Sequence, residues 1–298
     1  MRKPKRPLKV VNDLITLLDV VLGDERYPVN VEQLALDYSR KKFSNDYIKD
    51  IKGDNLPGFE GALYEKKKND ESRWLILYND QITKPERINF TLAHEFGHYL
   101  LHRDEQKVFE CSQEDLSRFN DCVQRETEAN TFASQLLMPL HDFRKQVDAN
   151  ELSFDLMEHC TYRYQVSLTA AILKWIEFTA KRAMMVVSRD EYILWARSSQ
   201  PAFKSGVYIK TVGCPPVAVP EKSLANQRST LSDSKVETQH PEGVWRKDEP
   251  VKELTVFSDK FDLVITLLIF PDEAPNRFIQ DEEEPKLMDT YQKFTNNL

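Results

Sequence analysis

The sequence predicts an α+β protein in two parts: a mainly helical domain with a small sheet over residues 1–182, and a smaller β-rich α/β domain over 183–298. Three observations carry this reading. Apolar side chains recur at helical spacing through most of the first 182 residues. Two short runs, 59–64 and 73–79, have strand character and are joined by a polar turn at 66–71, as in a hairpin. From Met184 onward the apolar runs become short and strand-like instead.

Taken in order, 10–22 and 30–42 read as helices, followed by the hairpin. A helix over 84–101 opens with Thr83-Lys84-Pro85-Glu86, which reads as a Thr cap, Pro in the first turn and Glu three residues after the cap. A second helix over 125–138 is stopped by Pro139. Two more follow at 151–164 and 168–182, and their junction Gln165-Val166-Ser167 invites a helix-turn-helix reading. Ala170, Ala171, Ile172, Leu173, Trp175, Ile176 and Phe178 surround the second of them with apolar side chains, whereas a recognition helix needs polar and basic ones for base edges. It is assigned to the core. Beyond it, 184–188, 191–196, 206–212, 254–258 and 263–270 read as strands, with a hairpin turn at Arg189-Asp190-Glu191 and a long polar loop over 221–243.

Composition narrows the function classes. A net charge of −7 disfavours nonspecific DNA binding by the chain as a whole. The basic cluster Arg2, Lys3, Lys5, Arg6 and Lys9 reads as a solvated tail, and Asp281–Glu284 as an acidic loop. Cysteines 111, 122, 160 and 214 show no metal spacing and suit free thiols in a reducing compartment. Residues 10–22 carry Asn12, Asp13 and Asp19, unlike a secretory segment, and the longest apolar run, 263–270, is far too short for a bilayer. A cytoplasmic protein is expected, with no membrane and no direct nucleic-acid partner.

The chemistry concentrates in Thr91-Leu92-Ala93-His94-Glu95-Phe96-Gly97-His98. Positions i and i+4 of a helix share a face, so His94 and His98 can converge on one ion, as a tetrahedral zinc site requires. Glu95 is offset around the helix, too far to replace a ligand but able to reach a water at the metal, which is the arrangement of a zinc peptidase helix. Ile88, Leu92, Phe96, Tyr99 and Leu100 supply the buried face. Gly97 costs roughly 1 kcal/mol in mid-helix relative to Ala and suggests close approach of another backbone. His102 continues the series, but four-residue steps advance about 6 Å each, so it stands roughly 12 Å along the axis from His94 and cannot share its ion. It reads as a residue meeting the C-terminal dipole.

A third ligand is expected from 125–138. Ala129, Phe132, Ala133, Leu136 and Leu137 form an apolar face bordered by Glu126 and Asn130. The small alanines permit close packing that brings Glu126 to the metal and lets Asn130 hydrogen-bond a ligand imidazole. Glu128 is the competing ligand, although it points about 160° away if Glu126 faces inward.

The stretch from Arg87 to His102, together with Glu126-Thr-Glu-Ala-Asn-Thr-Phe-Ala-Ser-Gln-Leu-Leu-Met-Pro139, closely resembles the ImmA/IrrE metallopeptidase family. Val29–Ala35, Gly61-Ala62-Leu63, Ile76-Leu77-Tyr78-Asn79 and Gln165–Ala171 look similar as well, so the resemblance covers roughly residues 28–200. It implies a zincin-like domain over 1–182 in a bacterial or phage protein. It further implies Zn2+ held by His94, His98 and Glu126, Glu95 as catalytic base, and a helix-turn-helix transcriptional repressor or antitoxin as substrate. In larger members the C-terminal part is sensor-like. The polar insert 104–124 departs from the pattern and leaves substrate identity open. The rival expectation is a non-catalytic zinc module that sequesters a repressor; an intact Glu95 favours the enzyme.

Overall fold

A computed structural model describes residues 6–68, 71–105, 108–109, 119–148, 152–228, 231, 233–258 and 262–274. Arg2, Lys3, Lys5, Cys111, most of the 104–124 insert, the Cys122 side chain and 281–284 lie outside what is described. The chain divides into two compact units, residues 1–152 with 158–167, and residues 153–157 with 168–298. Both contain helices and sheet, the mixed α and β content expected.

In the first unit, α1 (Pro7–Leu22) buries Val11, Leu14, Ile15 and Leu18, one stripe of a 3.6-residue repeat. α2 (Val31–Lys42) starts at Asn30, whose side chain accepts a hydrogen bond from the Gln33 amide. A four-stranded sheet follows, of order β1-β3-β2-β4. β1 (Asp46–Asp54) runs parallel to β3 (Glu71–Asn79), and β2 (Gly61–Lys68) pairs antiparallel with β3. β4 (Val108–Phe109) pairs with β2 at Leu63 and Tyr64. The hairpin was expected; β1 was not. Its pairing shifts register between Ile48 and Asp50, so its two buried isoleucines, Ile48 and Ile51, fall three apart and break the period-two signal.

α3 (Pro85–His102) lies against β2 and β3, and α4 (Phe119–Leu137) packs on α3. The helix start differs from expectation: the cap is Lys84 with no side-chain bond, not Thr83, although Pro85 does occupy the first turn. Asp46 ties the C-terminal half of α3 to the sheet, accepting from Trp74 Nε1 at 2.6 Å and Arg103 Nε at 2.9 Å, while its carbonyl accepts from Tyr99 Oη. Tyr99 is thereby turned into the core, away from the face that carries His94 and His98.

α5 (Leu140–Val147) begins directly after Pro139, and α6 (Phe154–Tyr164) follows. Asp142 of α5 is buried and accepts from Arg163 Nε (2.9 Å), Arg163 Nη2 (3.0 Å) and Tyr164 Oη (2.6 Å). Burial alone would raise the pKa of its carboxyl, but these donors outweigh it and hold it below the usual range. A carboxyl with a depressed folded pKa stabilises the fold above its unfolded pKa of about 3.9, and that stabilisation is lost as pH falls through the lower folded value. Below about pH 4 the melting temperature of the parent should therefore fall more steeply than that of Asp142→Asn. At pH 7 the substitution should cost about 1–3 kcal/mol, read by chemical denaturation.

The second unit is a six-stranded antiparallel sheet with α7 (Leu168–Phe178) and α8 (Gln200–Lys204). Its strands are β5 (Ala183–Arg189), β6 (Tyr192–Ser198), β7 (Val217–Ala218), β8 (Lys235–His240), β9 (Val251–Ser258) and β10 (Leu263–Ile269), in the order β7-β6-β5-β10-β9-β8. β5 and β6 are joined at Asp190 and Glu191, with φ of 49° and 66°, the positive-φ pair of a tight hairpin where the turn was expected. α7 buries Ala171, Ile172, Trp175 and Ile176 and is a core helix, not a recognition helix.

Two expectations fail here. Residues 206–212 form no strand; Gly206 has φ 75° and opens an irregular segment. β8 lies inside the expected 221–243 loop, because an edge strand of alternating exposure takes its order from pairing with β9 rather than from its own apolarity. Glu253 of β9 is fully buried and accepts from the amides of Leu224 and Ala225 and from Trp245 Nε1, at 2.7–3.1 Å. It therefore anchors the irregular segment to the sheet. Cys160 and Cys214 are free thiols, and among the described residues no helix is long and apolar enough to cross a membrane.

Candidate metal centre

α3 and α4 approach closely because their contact face is built of small residues. A Cβ placed on Gly97 would stand 3.0 Å from Phe132 Cδ1 and 3.4 Å from Ala129 Cα. The mid-helix glycine expected to mark a close backbone approach does so. Buried Ala129, Phe132, Ala133 and Leu136 complete the contact face of α4.

That approach brings Glu126 between the two imidazoles. Glu126 Oε2 lies 3.1 Å from His94 Nε2 and Oε1 lies 3.1 Å from His98 Nε2, while the two Nε2 atoms are 3.0 Å apart. Tetrahedral donors at about 2.0–2.1 Å from one ion stand roughly 3.3 Å from each other, so a separation of the three side chains by a few tenths of an ångström suffices to hold a divalent cation. Among the described residues these are the three donors that converge in this way, within 4.8 Å of one another. His98 is buried, whereas the His94 and Glu126 side chains keep 15% and 26% of their exposure, so the centre opens to solvent on one side.

Electrostatics point to the same charge. Burial alone would depress His94, but the hydrogen bond and charge of Glu126 lift it to about 9. Burial pushes His98 down to about 4, with the neighbouring His94 acting in the same direction against Glu126. Burial would raise Glu126, yet its bonds to both imidazoles hold it far below the usual carboxylate range. Glu126 thus presents an ionised carboxylate to both imidazoles, and the three groups together favour a positive charge between them.

Glu95 is 5% exposed and its Oε2 has no hydrogen-bond partner. Burial raises its carboxyl to about 8, the His94 charge opposing and the Glu126 charge reinforcing. Its Oε1 lies against the start of β2, 2.9 Å from where a Cβ on Gly61 would stand, and that same Cβ would meet Thr91 Cγ2 at 2.5 Å. Gly61 is thus the residue that lets the sheet edge approach the carboxyl, a role that pattern reading did not assign to it. Asn130 Oδ1 lies 3.0 Å from His94 Nδ1, the contact expected of it.

Glu128 and His102 differ from expectation. Glu128 does not turn away from α3; its Oε2 lies 3.0 Å from His102 Nε2. Glu126 and Glu128 border the Ala129–Ala133 contact face on opposite sides, so both reach α3, at different turns. His102 is buried, with its pKa lowered by that burial, and its Nδ1 is 3.1 Å from His98 Nδ1. It therefore does not meet the helix dipole as an exposed cation. The fourfold spacing of 94, 98 and 102, used above to exclude a shared ion, also stacks each imidazole on the next, and that was the available signal.

A family model described as Peptidase_M78, IrrE N-terminal-like domain, matches residues 55–175, a span that contains α3, α4 and all four site residues. No curated protein matches the chain.

Proposed function

We propose that the chain is a zinc-dependent endopeptidase acting on a protein substrate, a reading that the match of residues 55–175 to an IrrE N-terminal-like peptidase domain supports. The observation that carries the reading is the convergence of His94, His98 and Glu126 beside an unpartnered, buried Glu95. Two imidazole nitrogens and one carboxylate are the ligand set of hydrolytic zinc sites, with a position left for solvent.

In this reading His94, His98 and Glu126 hold the ion. When bound, zinc supplies Lewis acidity, lowering the pKa of water toward about 7 and polarising the scissile carbonyl. Glu95 accepts the proton of the attacking water as the C–O bond forms, and delivers it to the amine nitrogen as the C–N bond breaks. Burial favours this double role, since it raises the proton affinity of the Glu95 carboxyl above that of a solvated glutamate. The substrate chain lies along the outer edge of β2, whose start touches Glu95 and which, among the described residues, β4 pairs at Leu63 and Tyr64.

The substrate class is a helix-turn-helix repressor or antitoxin, cut to release transcription, which sets the site of action in the cytoplasm. The test is incubation of the zinc-loaded chain with helix-turn-helix repressors, beginning with any encoded beside it, followed by mass spectrometry. Discrete fragments that vanish with a chelator support the enzyme; a stable intact complex favours the sequestering module and sinks the proposal.

Zinc uptake has a pH signature of its own. Ligands must be deprotonated to bind, and His94, at about 9, carries a proton at pH 7 whereas His98, at about 4, does not. Calorimetry in buffers of different ionisation enthalpy should thus find at least one proton released per zinc at pH 7. Apparent affinity should fall about tenfold per unit as pH drops from 9 toward 4.

A further inference from the structure

A chain of hydrogen bonds leads away from the metal centre through groups that the proposed reaction does not use. Gln124 Nε2 donates to Glu128 Oε1 at 2.9 Å, Glu128 Oε2 lies 3.0 Å from His102 Nε2, and His102 Nδ1 lies 3.1 Å from His98 Nδ1. His98 and His102 are each 2% exposed, so water cannot freely exchange with this path. We propose that Glu128 and His102 form a relay that fixes the tautomer of His98 and thereby sets the metal affinity of the site.

The proton positions follow from the donor and acceptor inventory. An ionised carboxylate only accepts, so His102 carries its proton on Nε2 and presents a lone pair at Nδ1. That lone pair requires a proton on His98 Nδ1, which leaves His98 Nε2 unprotonated and facing Glu126 and His94. The carboxylate thus dictates, through two rings, which nitrogen is free to ligate. His94 Nδ1 meets Asn130 Oδ1 directly; on the Nδ1 side of His98 the carboxylate of Glu128 is reached through one further imidazole, His102. Hydrogen-bond partners of ligating imidazoles hold ring orientation and raise ligand basicity, typically 10–100-fold in affinity.

The inference rests on the zinc-site reading above, and its test separates the two. Zinc affinity of the full chain is measured by chelator competition, with no peptide cleavage involved. Glu128 keeps 24% of its side-chain exposure, so Glu128→Ala is expected to fold and to bind zinc 10–100-fold more weakly. His102→Asn places an acceptor oxygen where Nδ1 stood and should lose less affinity than His102→Phe, which offers none. Turnover of Glu128→Ala should recover at saturating zinc. If the parent binds zinc and Glu128→Ala binds it within twofold, or His102→Asn is as weak as His102→Phe, the relay is overturned. A parent that binds no zinc overturns the metal site, and the relay with it.

Discussion

Glu95→Gln should retain the fold and the bound zinc and lose hydrolysis by 10²–10⁴-fold in kcat, the range that a positioned general base contributes. Glutamine has the same shape and fits the same space against Gly61, but it takes no proton from water. Its effect on stability runs the other way. Glu95 has a folded pKa of about 8 against an ordinary value of 4.5, so its ionisation is disfavoured in the folded protein. Such a group destabilises the fold progressively as pH rises from the unfolded value to the folded one, and not at all below it. Metal-free Glu95→Gln should therefore melt at higher temperature than the parent at pH 8 and at the same temperature at pH 4. Parental turnover in this variant would end the peptidase mechanism. Lower stability at pH 8 would show that the carboxyl is paired in the folded state.

Glu126→Ala should weaken zinc binding by about two to three decades. A structural zinc site is worth about 10–16 kcal/mol over four ligands, so one ligand carries roughly 2.5–4 kcal/mol, two to three decades of affinity. The same variant removes the partner that does most to lift His94, whose pKa should drop well below 9 because only the Glu95 charge and the Asn130 bond then oppose burial. Zinc stoichiometry by atomic absorption after dialysis, with an NMR titration of His94, checks both. The comparison with Glu128→Ala is informative, since the two residues stand two apart on one helix. Loss confined to 10–100-fold at Glu128 and larger loss at Glu126 assigns the ligand; the reverse order exchanges their roles.

Much of the centre was legible along the chain because local geometry carries it. A spacing of four on a helix puts His94 above His98, whatever the rest of the protein does. Gly97 and the alanines of α4 announced a close helix contact, and the Asp190–Glu191 turn announced a hairpin, since each is a backbone property of a few residues. Less legible were elements whose order comes from a neighbour. β8 is polar and exists by pairing with β9; β1 hides its strand period behind a register shift. The start of α3 carried a complete capping pattern at Thr83 that the structure does not use.

Residue spacing along the chain was enough to put two imidazoles on one helix face and candidate carboxylates on the next helix. Only the tertiary structure decided which carboxylate meets which imidazole. Glu126 and Glu128 differ by two positions on one helix, and the apolar face favoured Glu126 without showing where Glu128 would go; the packing of α4 on α3 sends the first to His94 and His98 and the second to His102. Burial was likewise a tertiary matter. The same carboxyl that is acidic on a solvated helix is held near 8 at Glu95, because β2 closes over it at Gly61 and removes the water that would stabilise its charge.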